Sequence, residues 1–222
     1  MLFRSQFFPV SKHGLVSLVE ELYWGETWSG YTRHDKARDT GGEYPVRVYA
    51  FLPREETNMV SLKSTLRSLY HDRNAIHIND THEETMRYAT CFFNANSIEF
   101  LDRKGKLSST NQETFNTFAR CSRMFEMCIV SSFVMALYGI REARDLDYIH
   151  LKEPPIDTSL IHSHRSQEKY YKDSFEDILF HPKKHFYVHG VKVCTLDVLM
   201  EMKQTRQEDK DRVDCDLIKK IE

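Results

Sequence analysis

The 222-residue sequence contains no long apolar run. A membrane-spanning helix needs about 18 or more consecutive apolar residues, and no window of this chain approaches that length. The phenylalanine-rich N-terminus is interrupted by four polar or helix-breaking residues, Arg4, Ser5, Gln6 and Pro9. We therefore expect neither a membrane span nor a secretory signal, and a protein without a membrane partner.

The sequence also lacks a strong excess of one charge and any Cys-x-x-Cys pair. The formal net charge of −2 disfavours a protein that binds nucleic acid through a broad basic field, although a local patch is compatible with it. Five widely spaced cysteines fit reduced, mostly buried thiols better than structural zinc or disulfides. These features predict a cytoplasmic protein.

What is present is an ordinary globular composition, 41% hydrophobic, with alternating helix and strand patterns. In the first half the patterns predict strand, helix, strand, helix and strand, over Val46–Leu52, Met59–Tyr70, Ala75–Asn79, 80–94 and Ser97–Leu101. That order implies parallel pairing through right-handed crossovers. A charged connection follows, so we divide the chain into a small α/β domain of unknown role, 1–105, and a second domain, 106–222.

The segment 126–152 carries most of the chemistry. Met127–Val130 reads as a buried strand, Ser131 and Ser132 open an apolar helix, and a second strand begins at Asp145-Leu146-Asp147. Residues two apart on a strand face the same side, with Cα atoms about 6 to 7 Å apart. Asp145 and Asp147 are therefore predicted to share a divalent cation, which would offset their repulsion.

The two serines stand where the helix begins. The first backbone N–H groups of a helix lack partners within it, and the helix dipole is positive at that end. A phosphate group could approach there. The sequence therefore predicts an anion site next to an acidic pair, an arrangement that suits Mg²⁺ bound by carboxylates and substrate phosphates.

This segment resembles the core of the nucleotidyltransferase (polymerase-beta-like) superfamily, in which a strand, a Gly-Gly or Gly-Ser pair and a helix precede an Asp-h-Asp strand. It is most similar to the abortive-infection-toxin type, in which an arginine precedes the acidic pair, as Arg141 and Arg144 do here. The C-terminal run, with a Leu-x-x-x-Lys helix end at Lys203 and Lys-Asp-x-x-Asp at 210–214, is similar to that family as well. The whole chain, including 77–80 and 94–98, also looks like uncharacterised proteins of bacteria and large algal viruses, a resemblance that names no activity. If the chain is viral, the cytoplasm expected for it is that of the host.

The resemblance implies an α/β (α+β) fold with a mixed-sheet second domain and transfer of a nucleotidyl group from a nucleoside triphosphate to a hydroxyl acceptor. The acceptor could belong to a sugar, a small molecule, RNA or a protein, with long nucleic acid not favoured. Mg²⁺ (or Mn²⁺) would be held by Asp145 and Asp147. The implied catalytic residues are Asp145, Asp147 and Arg141, and the implied nucleotide-binding residues are Ser131, Ser132, Arg144 and Lys203.

Two departures from the family pattern leave an alternative open. Ser131 stands where the family usually has glycine, and no third carboxylate is evident on a later strand to act as base. A catalytically inactive binding or assembly module of the same fold is the alternative. A histidine-metal hydrolase using His77, His162 and His164 is a third option without a recognisable ligand spacing.

The remaining C-terminal sequence predicts three features. These are a long exposed loop over Pro154–Lys172, one strand over His185–Val193, and a charged final helix that buries Val213, Leu217, Ile218 and Ile221.

Overall fold

The structure is a computed structural model that describes residues 2–25, 35–37, 46–70, 76–122, 126–152 and 156–221. Its α-helices are α1 (Lys12–Leu22), α2 (Met59–Ser68), α3 (His82–Phe92), α4 (Ala95–Arg103), α5 (Ser109–Ser122), α6 (Ser132–Leu137), α7 (Phe175–Phe180), α8 (Leu196–Arg206) and α9 (Asp209–Ile218). Its strands are β1 (Leu2–Phe8), β2 (Val46–Phe51), β3 (Met127–Val130), β4 (Leu146–His150), β5 (Ile161–Ser163), β6 (His185–Val188) and β7 (Val191–Cys194). A 3-10 helix spans Arg165–Tyr170.

The strands form two sheets. A five-stranded mixed sheet has the order β5-β4-β3-β7-β6, and β1 and β2 form a separate antiparallel pair. In the large sheet β3 is antiparallel to β4 and parallel to β7, while β4 is parallel to β5. The α+β class and the mixed sheet of the second half are thus confirmed.

The parallel pairing predicted for the first half is wrong. Val46 begins a strand as expected, but this strand pairs antiparallel with β1, which the sequence did not predict. Residues 76–80 form no strand, and Ala75 lies outside the described residues. The segment Ser97–Leu101 lies inside α4, because Asn94 caps a helix there by accepting a hydrogen bond from the Ser97 backbone N–H at 3.0 Å.

The main core lies around the large sheet. All four residues of β3 are at most 2% exposed, since helices or neighbouring strands cover both faces of the strand. Phe100 of α4 belongs to this core and packs on Phe186 of β6 with ring centroids 4.6 Å apart. A smaller core joins β1, α1 and α3 through Phe8, Leu18 and Phe92.

Polar contacts tie the first half of the chain to the large sheet. The Asn94 side-chain amide donates to the backbone oxygens of Pro182 and His185, and the Tyr187 backbone N–H donates to the Ser97 hydroxyl at 2.9 Å. At the turn between β6 and β7, Glu21 of α1 accepts the backbone N–H of the buried His189 at 2.5 Å. Helices α1 and α4, with the Asn94 cap, are therefore packed against the second half through buried contacts.

Three C-terminal expectations need correction. The stretch 185–193 is a hairpin, because His189 and Gly190 both have positive φ angles and reverse the chain. The stretch expected to be an exposed loop contains β5 and the 3-10 helix. In α9 the buried face is Asp211, Asp214, Cys215 and Ile218, whereas Val213 is 59% exposed and Ile221 lies beyond the helix.

The connection before α5 packs against the turn that ends α6. The Gly105 backbone N–H donates to the Leu137 oxygen at 2.8 Å, and a Cβ at Gly105 would lie 2.2 Å from the backbone nitrogen of Gly139. Such a contact forces two backbones apart. Glycine at 105 therefore allows the first half of the chain to approach α6.

We expect Gly105→Ala to lower the free energy of unfolding by about 2 to 3 kcal/mol, because rigid backbone must move to admit the methyl group. Denaturant unfolding measures the loss. Lys106→Ala, at an exposed neighbour, is the control and should change stability by less than about 0.5 kcal/mol. Equal stability of the two variants would contradict the close approach.

Candidate functional site

The acidic pair lies where β3 ends and α6 begins. Asp147 is directly opposite Val130, the last residue of β3, because β4 runs antiparallel to it. Leu146 and Tyr148 are fully buried, while Asp147 and Asp145 are partly exposed. The predicted alternation along this strand is therefore confirmed, although Asp145 lies one residue before β4 begins.

The two carboxylates interact electrostatically. Burial raises the pKa of Asp147 above its ordinary value, and the negative charge of Asp145 raises it further. The side chain of Ser131 and the positive charges of His162 and Arg206 offset part of that increase. The folded protein thus contains a repulsion that a bound cation would relieve.

The side chains at the pair fit a hard divalent cation. Mg²⁺ and Mn²⁺ prefer carboxylate oxygens, and Mg²⁺ commonly takes one or two of them together with water and substrate phosphate. Among the residues that the structure describes, no three His, Cys, Asp or Glu side chains are grouped to hold a metal ion. An ion at Asp145 and Asp147 would therefore complete its coordination with water or substrate.

Ser131 has an unusual backbone conformation at the start of α6. Its φ and ψ are 60° and −149°, close to a region that glycine occupies almost alone. Its hydroxyl makes no capping bond to the helix, and its side chain acts to lower the pKa of Asp147. Ser132, the first residue of the six-residue helix, is partly exposed beside it. Local backbone strain therefore coincides with the predicted site.

We expect Ser131→Gly to be more stable than Ser131→Ala by about 1 kcal/mol. Both variants lose the hydroxyl, but only glycine removes the Cβ that makes φ = 60° costly. Thermal and denaturant unfolding of the two variants measure the difference. At an ordinary helical position, alanine gives a more stable protein than glycine. If Ser131→Ala were more stable than Ser131→Gly, the backbone at Ser131 would not be strained.

A buried network of charges lies next to the acidic pair. The Lys203 ammonium of α8 is 1% exposed and donates to Asp214 at 2.6 Å and to Asp211 at 3.1 Å, both in α9. Arg206 donates two hydrogen bonds to Asp211, at 2.7 and 2.9 Å. Arg141, from the loop before β4, donates two to Asp214, both at 2.7 Å. We call these five residues the buried charge network.

The pairing changes the protonation of both acids. Burial alone would raise the pKa of Asp211, but hydrogen bonds from Arg206 and Lys203 outweigh it and lower the pKa to about 2. For Asp214 burial is likewise outweighed, by Arg141 and Lys203, and its pKa is lowered. Both acids are therefore ionised at neutral pH, as the three cations require.

The network reaches the acidic pair through its two arginines. Arg141 interacts electrostatically with Asp145, and Arg206 with Asp147. The planar guanidinium groups are held in fixed orientations because each makes two hydrogen bonds to one carboxylate. The orientation of positive charge around the pair is therefore set by α8 and α9.

Five of the seven predicted site residues meet at this place: Ser131, Ser132, Arg141, Asp145 and Asp147. Arg144 is exposed in the bend before β4. Lys203 is buried, with its ammonium bound to two carboxylates of the network. The three histidines considered for a hydrolase have separate partners, with His77 between Tyr23 and Tyr88, His162 at Asp157, and His164 at Tyr171.

Sequence reasoning missed Arg206, considered His162 only for other roles and not beside the acidic pair, and gave Asp211 and Asp214 no role. A signal was present, because Lys203 and Arg206 are three residues apart, as are Asp211 and Asp214. On two consecutive helices this spacing puts two cations on one face and two acids on another. The partner of Arg141 had no such signal, since it lies 73 residues away.

We expect Lys203→Ala to cost about 3 to 5 kcal/mol in unfolding free energy, because Asp211 and Asp214 would lose a buried cation. Lys210→Ala, which removes a 65% exposed ammonium in the first turn of α9, is the matched control. It should lower the free energy of unfolding by about 0.5 kcal/mol or less. Urea unfolding at neutral pH measures both. A similar small loss in both variants would contradict the buried network.

The acid side of the pH profile gives a second readout for the same variant. The pKa of Asp211 is lowered on folding, so its contribution is complete above the ordinary value of 3.8 and is lost as pH falls toward about 2. The wild type should therefore lose stability across this interval more steeply than Lys203→Ala.

Comparison of the chain with protein-family models, with curated proteins and with solved structures found no match. In the described ranges, the helices are all too short or too polar to cross a membrane.

Proposed function

We propose that the protein transfers a nucleotidyl group from a nucleoside triphosphate to a hydroxyl acceptor, with Mg²⁺ or Mn²⁺ at Asp145 and Asp147. The observation that supports this most is the position of Asp147. Asp147 is opposite the last residue of β3, and the side chain of Ser131, where the chain enters α6, acts to lower the pKa of Asp147. A carboxylate pair and the first turn of a helix therefore share one end of the sheet.

Each side chain has a role that follows from its position. Asp145 and Asp147 would supply oxygen ligands to the cation, which when bound neutralises charge on the triphosphate. The first backbone N–H groups of α6, at Ser131 and Ser132, would orient the phosphates. The exposed guanidinium of Arg144 is free to approach a phosphate oxygen.

The buried charge network adds fixed positive charge next to the acidic pair. Arg141 and Arg206 are tied to buried carboxylates and would act on the phosphates through their fixed positive charge. Lys203 would contribute by holding Asp211 and Asp214 in place. Most of the rate would then come from positioning and charge stabilisation, as in other phosphoryl and nucleotidyl transfers.

The acceptor is a hydroxyl of a sugar, a small molecule, RNA or a protein. The small net negative charge of the chain disfavours a long nucleic acid, which needs an extended basic surface.

A second candidate function is a non-catalytic binding or assembly module of the same fold. The observation that favours it is the residue opposite Asp147 on β5, which is His162 and not a third carboxylate. Such a module would bind nucleotide or a protein partner without transfer.

A panel of the four nucleoside triphosphates with Mg²⁺ or Mn²⁺ tests the proposal by thermal shift and by pyrophosphate release. We expect one nucleotide at least to stabilise the wild type and to release pyrophosphate. Asp145→Asn and Asp147→Asn should each lower release by about 100-fold or more. Asp216→Asn, at an exposed acid of α9, is the matched control and should retain wild-type release.

Without metal, Asp147→Asn should also be more stable than the wild type, with a free energy of unfolding higher by about 0.5 to 1 kcal/mol and a higher melting temperature. The pKa of Asp147 is raised on folding, so this gain exists at neutral pH and disappears as pH falls to the ordinary value of 3.8.

Nucleotide binding without pyrophosphate release would favour the non-catalytic module. Neither binding nor release with any nucleotide would contradict both candidates.

A further inference from the structure

His162 lies beside the acidic pair on the strand at the edge of the large sheet. β5 is parallel to β4, and His162 is the register partner of Asp147. Directly paired residues of neighbouring strands face the same side of a sheet. The imidazole and the Asp147 carboxylate therefore share one face.

The partner of His162 determines its tautomer. Its Nδ1 lies 3.1 Å from a carboxylate oxygen of Asp157. Because a carboxylate only accepts hydrogen bonds, Nδ1 carries the hydrogen, and Nε2 of the neutral ring has a free lone pair. No residue in the described part of the chain bonds to Nε2, and the side chain is 40% exposed. A substrate group can thus reach it.

The other polar groups at the site are poor proton acceptors. Arg141, Arg206 and Lys203 are cations bound to carboxylates. The two acids of the pair are assigned to the cation, and the hydroxyl of Ser131 is a much weaker base than an imidazole. Transfer of a nucleotidyl group to a hydroxyl requires a second group that takes the proton of that hydroxyl. His162 alone among these side chains offers an accessible lone pair beside the pair.

We propose, on the basis of the proposed function, that His162 Nε2 accepts the proton of the attacking hydroxyl. The acceptor oxygen forms a bond to the α-phosphorus while the bond from that phosphorus to the bridging oxygen breaks, and pyrophosphate leaves with the electron pair. The proton stays on Nε2, and Nδ1–H remains bonded to Asp157. Asp157 is a positioning residue, and because it is 69% exposed it holds the ring weakly.

This assignment also locates the acceptor. The triphosphate side of the site is the end of β3 and the start of α6, on one side of β4, whereas β5 lies on the other side. β5 is an edge strand, so its outer side is not covered by another strand of the sheet. The hydroxyl substrate would therefore enter over β5 and the Asp157 segment.

The test measures pyrophosphate release in the presence of Mg²⁺ and the nucleotide that stabilises the wild type most. Glycerol serves as the acceptor that supplies the attacking hydroxyl. We expect His162→Gln to lower release by about 100-fold to 10,000-fold, the usual range for loss of a general base. Its nucleotide-induced thermal shift should equal that of the wild type. Asp157→Ala should lower release by only about 3-fold to 10-fold, since it orients the ring weakly. His82→Gln, at an exposed histidine of α3, is the control and should behave as the wild type.

Chemical rescue separates a proton acceptor from a structural residue. Added imidazole should raise release by His162→Gly at least about tenfold, and should not affect Asp147→Asn. If the wild type releases pyrophosphate and His162→Gln stays within about threefold of it, the role of His162 is wrong and the proposed function stands. If the wild type binds nucleotide without release, or does not bind it, the role of His162 falls with the enzymatic proposal.

Discussion

The structure around the candidate site depends on one requirement, that a buried ammonium must be paired. Lys203 is 1% exposed, and its charge is compensated only if Asp211 and Asp214 both face it. That condition fixes α9 against α8, and the same two acids, each through both oxygen atoms, then fix Arg141 and Arg206. The loop before β4, which leads into Asp145 and Asp147, is thereby fastened to the two C-terminal helices.

The site itself carries features that cost stability. Ser131 occupies a backbone conformation that suits glycine, and the pKa of Asp147 is raised by burial and by its neighbour Asp145. Unfavourable terms of this kind persist only where the surrounding structure is rigid enough to impose them. β3 is buried along its whole length, and the buried charge network interacts with the pair through Arg141 and Arg206. The strained residues are therefore next to two rigid parts of the fold.

Local signals explain what the sequence predicted correctly. Three features depend only on residues close in the chain: β3, the helix start at Ser131-Ser132 and the alternation at 145–148. The strand predicted over Ser97–Leu101 was wrong because a five-residue segment with Ile98 and Phe100 two apart fits a strand as well as a helix. Asn94 decides in favour of the helix by capping it. The pairings of Arg141 with Asp214 and of Asp147 with His162 depend on how strands and helices meet, which no local pattern contains.

Crystallographic location of Mn²⁺ tests the central claim most directly. Crystals grown with Mn²⁺ and a non-hydrolysable nucleoside triphosphate would be measured at a wavelength where manganese scatters anomalously. The account predicts an anomalous peak between the carboxylates of Asp145 and Asp147, with the triphosphate directed toward the start of α6. Manganese and nucleotide bound elsewhere, with this pair lacking a peak, would contradict it.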